Sequence, residues 1–212
     1  MVHVRKVNGE AEIFGNQGAL FMNAMTWWDH TTSSVWSQVW GRAIDGPLKG
    51  AELELLPSQV IPWGSWKEQY PTTLLMYNDL DRFAFFRGEP FSPDYVIGIA
   101  LEGHAKAYPY RFAEKAGIVN DMIGALPVLV HVNPETRAVS TYLRVVDDQT
   151  LSFDMRDDDL VDLETGSTWN PINGLATDGR LKGLALRPVP YVPAFRHAWY
   201  DFHPQTDYYE GE

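Results

Sequence analysis

Of the six histidines in this chain, His30 is the one with a carboxylate beside it, Asp29. A near-neutral imidazole next to a carboxylate is the material of a general base or a metal ligand. The chain has no cysteine, so a thiolate nucleophile, a thiolate zinc site and a disulfide are all excluded. Acid–base work would fall to Asp29, His30 and Asp121, the last following the apolar pair Ile118-Val119 and Asn120. A divalent metal ion is the cofactor such residues could hold, with His30, His104 and His131 as candidate ligands. Against this, no two histidines show the HxH or HxxxH spacing of a familiar zinc site. Neighbours on a strand point to opposite faces, so Asp29 and His30 can act together only where the strand has ended. Asn120-Asp121 also reads as a turn, since Asx side chains bond nearby backbone. The run Asp157-Asp158-Asp159 lacks the Gly and terminal Glu of an EF-hand, which favours a solvated loop.

The elements that carry these residues are written twice. DHTTSSVWSQVWGRAIDGPLKG, from Asp29, returns as DLETGSTWNPINGLATDGRLKG, from Asp162, and the offset of 133 holds without a gap as far as Thr73 and Thr206. Upstream, an offset of 139 aligns Arg5, Val7 and Phe14 with Arg144, Val146 and Phe153. Self-similarity at a fixed offset marks a duplicated structural unit, here residues 5–73 and 144–206. Each copy reads as a hairpin, a strand, a DxxTxSxW turn, a Gly-rich connection, a strand ending in Pro, and a short helix bounded by Pro. The central block 95–143 has no visible counterpart. It reads as hairpins turning at Glu102-Gly103 and at Asn133 to Thr136, with one helix between them closed by Gly117. The first copy therefore begins in mid-repeat at Met1. Either the start of a longer gene lies upstream, or the chain is a natural short form whose exposed strand edge invites pairing, and on the latter reading a homo-oligomer or larger complex is expected.

The comparison of copies sorts the candidates. Residues present in both, Asp29 with Asp162 and Trp36 with Trp169, are those the fold itself requires. Residues present in one are the better place for function: His30, Asn16, Gln17, Trp27, Trp28, Trp40 and Trp63 lack counterparts, and with Asn120 they could line a ligand groove. The usual burial of aromatics favours the plainer reading, that these tryptophans fill a core or an interface.

Repeated short strands punctuated by Gly, Pro and Asx predict a mainly β, β-rich α+β fold: two pseudo-symmetric repeats of antiparallel strands with short helices, barrel- or sandwich-like, in a single compact domain over 1–212. The formal net charge of −11 and the lack of a basic run argue against nucleic acid. No apolar run is long enough for a transmembrane helix and MVHVRKVNGE is no signal peptide. The chain as written reads as soluble. An export signal on a longer N-terminus would place it in the cell envelope or outside the cell.

The strings FGNQGALFMNAMTWWDHTTSSVWSQ, GPLKG, AYPYRFAEKAGIVND followed by LPVLV, DLETGSTW and FHPQT resemble the bacterial and archaeal family called domain of unknown function 3179. The resemblance implies no settled activity, and members often carry export signals or lipoprotein anchors. Many members have His-Glu where this chain has Ala116-Gly117, and a Cys-Pro-Leu-Cys type stretch where it has Val132-Asn133-Pro134-Glu135, so metal or redox chemistry at those family residues does not carry over. Two functional classes stand: a non-catalytic binding or assembly protein of the envelope or a larger complex, which the aromatic content favours, and a metal-assisted or acid–base hydrolase using His30 and neighbouring carboxylates. The GxSxG elbow, the P-loop and the GxGxxG fingerprint are absent.

Overall fold

The computed structural model describes residues 1–75, 94–157 and 159–211, so Asp158 of the acidic run lies outside them. The first unit starts with β1 (Val2–His3) and a hairpin of β2 (Lys6–Val7) and β3 (Glu10–Ala11). Its turn residues Asn8 and Gly9 both have positive φ, as a two-residue primed turn demands. Then come β4 (Phe14–Phe21), β5 (Ala24–Asp29), β6 (Val35–Ser37) and β7 (Arg42–Asp45), an antiparallel sheet in that order. β8 (Leu55–Leu56) returns to pair with β1, and α1 (Trp63–Gln69) follows Pro62.

The central block is the hairpin β9 (Tyr95–Leu101) and β10 (His104–Pro109), helix α2 (Tyr110–Ala116), and the meander β11 (Ile118–Ile123), β12 (Leu126–Val132) and β13 (Val139–Leu143). Gly117 ends α2 with φ +69°. The second unit repeats the first: hairpin β14 (Val145–Val146) and β15 (Gln149–Thr150), then the sheet β16 (Phe153–Arg156), β17 (Asp159–Asp162), β18 (Thr168–Trp169) and β19 (Ala176–Asp178). It closes with β20 (Val192–Phe195), α3 (Arg196–Phe202) and β21 (Asp207–Tyr208).

The sheets stack in layers, with the β11–β13 meander in the middle. One of its faces, with Val128, Val130 and Val132, packs on Ile97, Ile99 and Tyr108 of the β9–β10 sheet. The other, with Leu129 and Tyr142, packs on Phe153, Leu160 and Trp169 of the second unit. This double burial explains LPVLVHV, which is apolar without alternation because both faces of β12 are covered. On the far side of β9, Trp199 and Phe202 of α3 join Val96 and Ala107 and reach Phe21 and Trp40 of the first unit. The fold is mainly β with short helices. Among the described residues its sheets stay open and none closes into a barrel. Parallel pairing of β21 with β10 is a feature that alternation alone did not announce.

Trp199 lies flat on Gly98 of β9, where an added Cβ would fall 2.3 Å from the indole. Gly98→Ala is therefore expected to destabilise the protein by about 2 kcal/mol through overpacking. Gly64→Ala in α1, where a Cβ meets nothing within 4 Å, should stabilise by about 0.5–1 kcal/mol. Urea unfolding of the two variants checks the contrast.

Candidate functional site

The duplicated motif folds into the same knot twice. Asp29 is fully buried, and it accepts hydrogen bonds from the Thr32 backbone N–H (2.5 Å), the Thr32 hydroxyl (2.9 Å) and Trp36 Nε1 (2.9 Å). Asp162 accepts from Thr165 N–H (2.6 Å), the Thr165 hydroxyl (2.8 Å) and Trp169 Nε1 (2.9 Å). Ser34 Oγ then accepts the Leu48 N–H, and Ser167 Oγ the Leu181 N–H, each at 3.0 Å. Burial pushes the Asp29 carboxyl up, but the bonds from Trp36, Thr32 and Ser34 outweigh it and hold the group below its ordinary value. A group so depressed stabilises the fold above the unfolded carboxylate range, and the contribution is lost as pH falls through the folded value. Asp29→Ala and Asp162→Ala should each cost about 3 kcal/mol by stranding buried donors. The Asp29→Ala variant should also show a shallower loss of stability on acidification than the parent.

His30 faces away from this knot. Its ring stacks on Trp28 at 4.4 Å and 7°, on the outer side of the sheet, so Asp29 and His30 do not converge. Trp28 lies over Gly15, its register partner, where a Cβ would come 2.6 Å from the indole nitrogen. In the second unit the matching pair is Asp154 and Val161, so glycine and tryptophan changed together. The other unmatched residues scatter. Trp27 packs with Phe14 and His3. Trp40 meets Phe202 edge-on at 4.9 Å, joining the first unit to α3. Trp63 is exposed at the start of α1. Asn16 and Gln17 are exposed on β4, and the Asn16 side chain accepts the Gly18 N–H.

Asn120 and Asp121 are engaged in joining layers. The Asn120 amide donates to Phe153 C=O and accepts from Phe153 N–H, both at 2.8 Å, clamping β11 to β16. Asp121 Oδ2 pairs with Lys106 Nζ at 2.7 Å, tying β11 to β10. Burial, then the charge of Asp121, pushes the nearby Tyr108 hydroxyl far above its ordinary value. The buried guanidinium of Arg144 donates to Val128, Leu151 and Asp121 carbonyls.

The histidines of the central block lie apart. His104 rests on Gly124 at the β11–β12 turn, whereas His131 lies about 17 Å further along β12 by the rise of a strand. Among the described residues no three His, Asp or Glu side chains gather as a cation site.

His131 is the candidate that meets a cleft. It is 4% exposed, and it lines a cleft of about 960 Å³ with Arg111, Glu114 and Lys115 of α2, Asn133 and Glu135 of the following turn, and Met155 of β16. Its Nδ1 is sealed from solvent and has no hydrogen-bond partner among the described residues. Burial pushes the imidazole down to about 4, so it is neutral near pH 7. Glu114 also pairs with Arg137 at 3.6 Å. The α2 residues were overlooked in the sequence, although Arg111, Glu114 and Lys115 fall at i, i+3 and i+4, the spacing of one helical face.

The family model described as protein of unknown function, DUF3179, matches residues 1–93 and 93–206. The chain belongs to this family. The two matched segments divide the DUF3179 chain between its units, with the central block in the second. Neither a curated protein nor a solved structure matches it. Among its described residues no helix is long and apolar enough to cross a membrane.

The folded imidazole of His131 binds its proton near pH 4, against an ordinary value of 6.5. The unfolded chain takes up that proton first, so the folded state loses stability as pH falls from about 6.5 to about 4. At about 1.4 kcal/mol per decade of proton affinity the loss is about 3 kcal/mol. His131→Leu should remove that part of the slope, as read by urea unfolding at pH 7.5 and 4.5.

Proposed function

We propose that this protein is a binding protein whose cleft at His131 takes a small polar, charge-bearing molecule. The carrying observation is a neutral, buried imidazole lining a cleft whose rim brings both signs of charge, from Arg111 and Lys115 and from Glu114 and Glu135. A concave site with few polar groups on a rigid floor is the usual form of a small-molecule site. The floor is a strand fixed on both faces, so little ordering accompanies binding. With Nδ1 sealed, Nε2 is the nitrogen left to meet a ligand, and a neutral ring offers it either a donor or an acceptor. No carboxylate or hydroxyl meets Nδ1 of this ring among the described residues, whereas a general base ordinarily has such an orienting partner. That supports binding over catalysis.

Ligand-observed NMR with a panel of amino acids, organic acids and sugars tests the reading. A member of the panel should bind, move the His131 ring resonances, and lose at least about tenfold in affinity in His131→Leu, a change of about 1.4 kcal/mol. Binding of equal strength in that variant, or no binding by any member, would sink the reading.

A further inference from the structure

The second unit shows how a unit of this fold is covered. β12 pairs along β13, with Leu129 opposite Tyr142 and Val128 opposite Leu143. Arg144 grips the β11–β12 hairpin through the Val128 carbonyl at 2.9 Å and the Asp121 carbonyl at 3.2 Å. Asn120 of β11 closes on both backbone groups of Phe153. One β-hairpin thus makes three kinds of contact with the unit.

The first unit carries the receiving half of each. Offset by 139, β1 is the end of β13: His3 pairs with Leu55 as Tyr142 bridges to Pro188. Val4 N–H donates to Glu54 C=O at 2.8 Å, as Leu143 N–H does to Arg187 C=O at 2.9 Å. A Cβ on Gly41 would fall 2.6 Å from His3, and one on Gly174 2.7 Å from Tyr142. Arg5 Nη1 donates to Glu12 C=O as Arg144 Nη1 does to Leu151 C=O. His30 N–H donates to Ile13 C=O as Leu163 N–H does to Ser152 C=O. This leaves Phe14, like Phe153, with its own N–H and C=O turned away from the neighbouring strand.

Nothing among the described residues fills that half. β1 pairs with β8 alone, and Arg5 is exposed where Arg144 is 7% exposed. Phe14 and Trp27 are half-buried where their equivalents Phe153 and Leu160 are buried. We propose that the face formed by β1, Arg5 and the Phe14 edge of β4 docks a β-hairpin of the β11–β12 type. The occupant is specified by the chemistry of the face. It presents a backbone edge to Val2–Val4, two carbonyls to Arg5, apolar side chains to Phe14 and Trp27, and an asparagine to the Phe14 backbone. A second copy of this chain does not qualify, because its β11–β12 hairpin is already held by its own second unit.

The test adds a synthetic peptide of the sequence Ile118–Val132 to the ¹⁵N-labelled chain. Amide shifts at Val2–Arg5 and Phe14–Gly15 are expected, with at least tenfold weaker binding when the peptide carries Asn120→Ala. The register also makes Met1 follow position 139, so residues 95–139 fused ahead of Met1 supply the hairpin in cis and bypass peptide insolubility. Exchange of the Phe14 amide should then slow at least tenfold, and Asn120→Ala in the added copy should reverse it. Response in either format supports the docking face. No response in both, or a concentration-dependent dimer of the chain that buries β1 and excludes the hairpin, overturns it.

Discussion

A carboxylate taken fully out of water is tolerated only where hydrogen-bond donors replace its hydration, and this chain does so twice with the same residues. At Asp29 and Asp162 the donors arrive from three, five and seven positions downstream: the Thr backbone and hydroxyl, the Ser backbone and the Trp indole. The Trp side chain must therefore enter the core with its nitrogen turned back to the strand it left. That requirement fixes the turn, the register of β5 on β6 and of β17 on β18, and the direction of the next crossing. The glycines after it follow from the same geometry. Gly46 and Gly179 lie so close to Ser34 and Ser167 that a Cβ would come within 2.7 Å of their Cα atoms.

From the knots outward, the rest of the fold is an arrangement of covered faces. The unit presents an apolar sheet face beside the knot, and the β11–β13 meander covers it in the second unit. Side-chain hydrogen bonds to backbone complete that contact. Asn120 imitates a strand at Phe153, and Arg144 satisfies three carbonyls that would otherwise be buried without donors. Such bonds cost little when made and much when one partner is removed, so they specify the pairing of the layers as well as strengthening it. The His131 cleft lies where α2 and the β12–β13 turn reach past this covered face towards β16. The same packing that joins the layers thus holds the ring still.

The three short helices and the hairpin turns were legible because each has a local cause: Asn8-Gly9 and Glu102-Gly103 need positive φ, and Pro62 precedes α1. Asp29 and Trp36 recur in both copies, and their hydrogen bond recurs with them. The stacking of layers was not, since β12 is apolar on both faces and its alternation carries no sign of which neighbour covers which side. The site was read less well. His30 looked catalytic by adjacency to Asp29, yet strand geometry sends the two to opposite faces. His104 and His131 looked like partners, yet a hairpin places them towards opposite ends of β12. Asn120 and Asp121 looked like a site or a turn and are the fasteners between layers, a role set by residues 15 or more positions away.

The differences between the units obey one physical rule. Positions inside the knot are frozen, because any change strands a buried donor, and the knot residues are identical in the two copies. Positions on the outer face change in compensated pairs: Gly15 with Trp28 in one unit answers Asp154 with Val161 in the other, since only glycine leaves room for an indole lying on the strand. Positions on the inner face keep the shape of the contact even where its occupant is not among the described residues. Arg5 retains its bond to the Glu12 carbonyl although its other donors face solvent. A single solvent-facing arginine bond contributes little to stability, so its retention, together with Gly41 under His3, is better explained by the contact that the same residues make in the second unit. The first unit keeps the geometry that covering imposes on the second, which is what the proposed docking face requires.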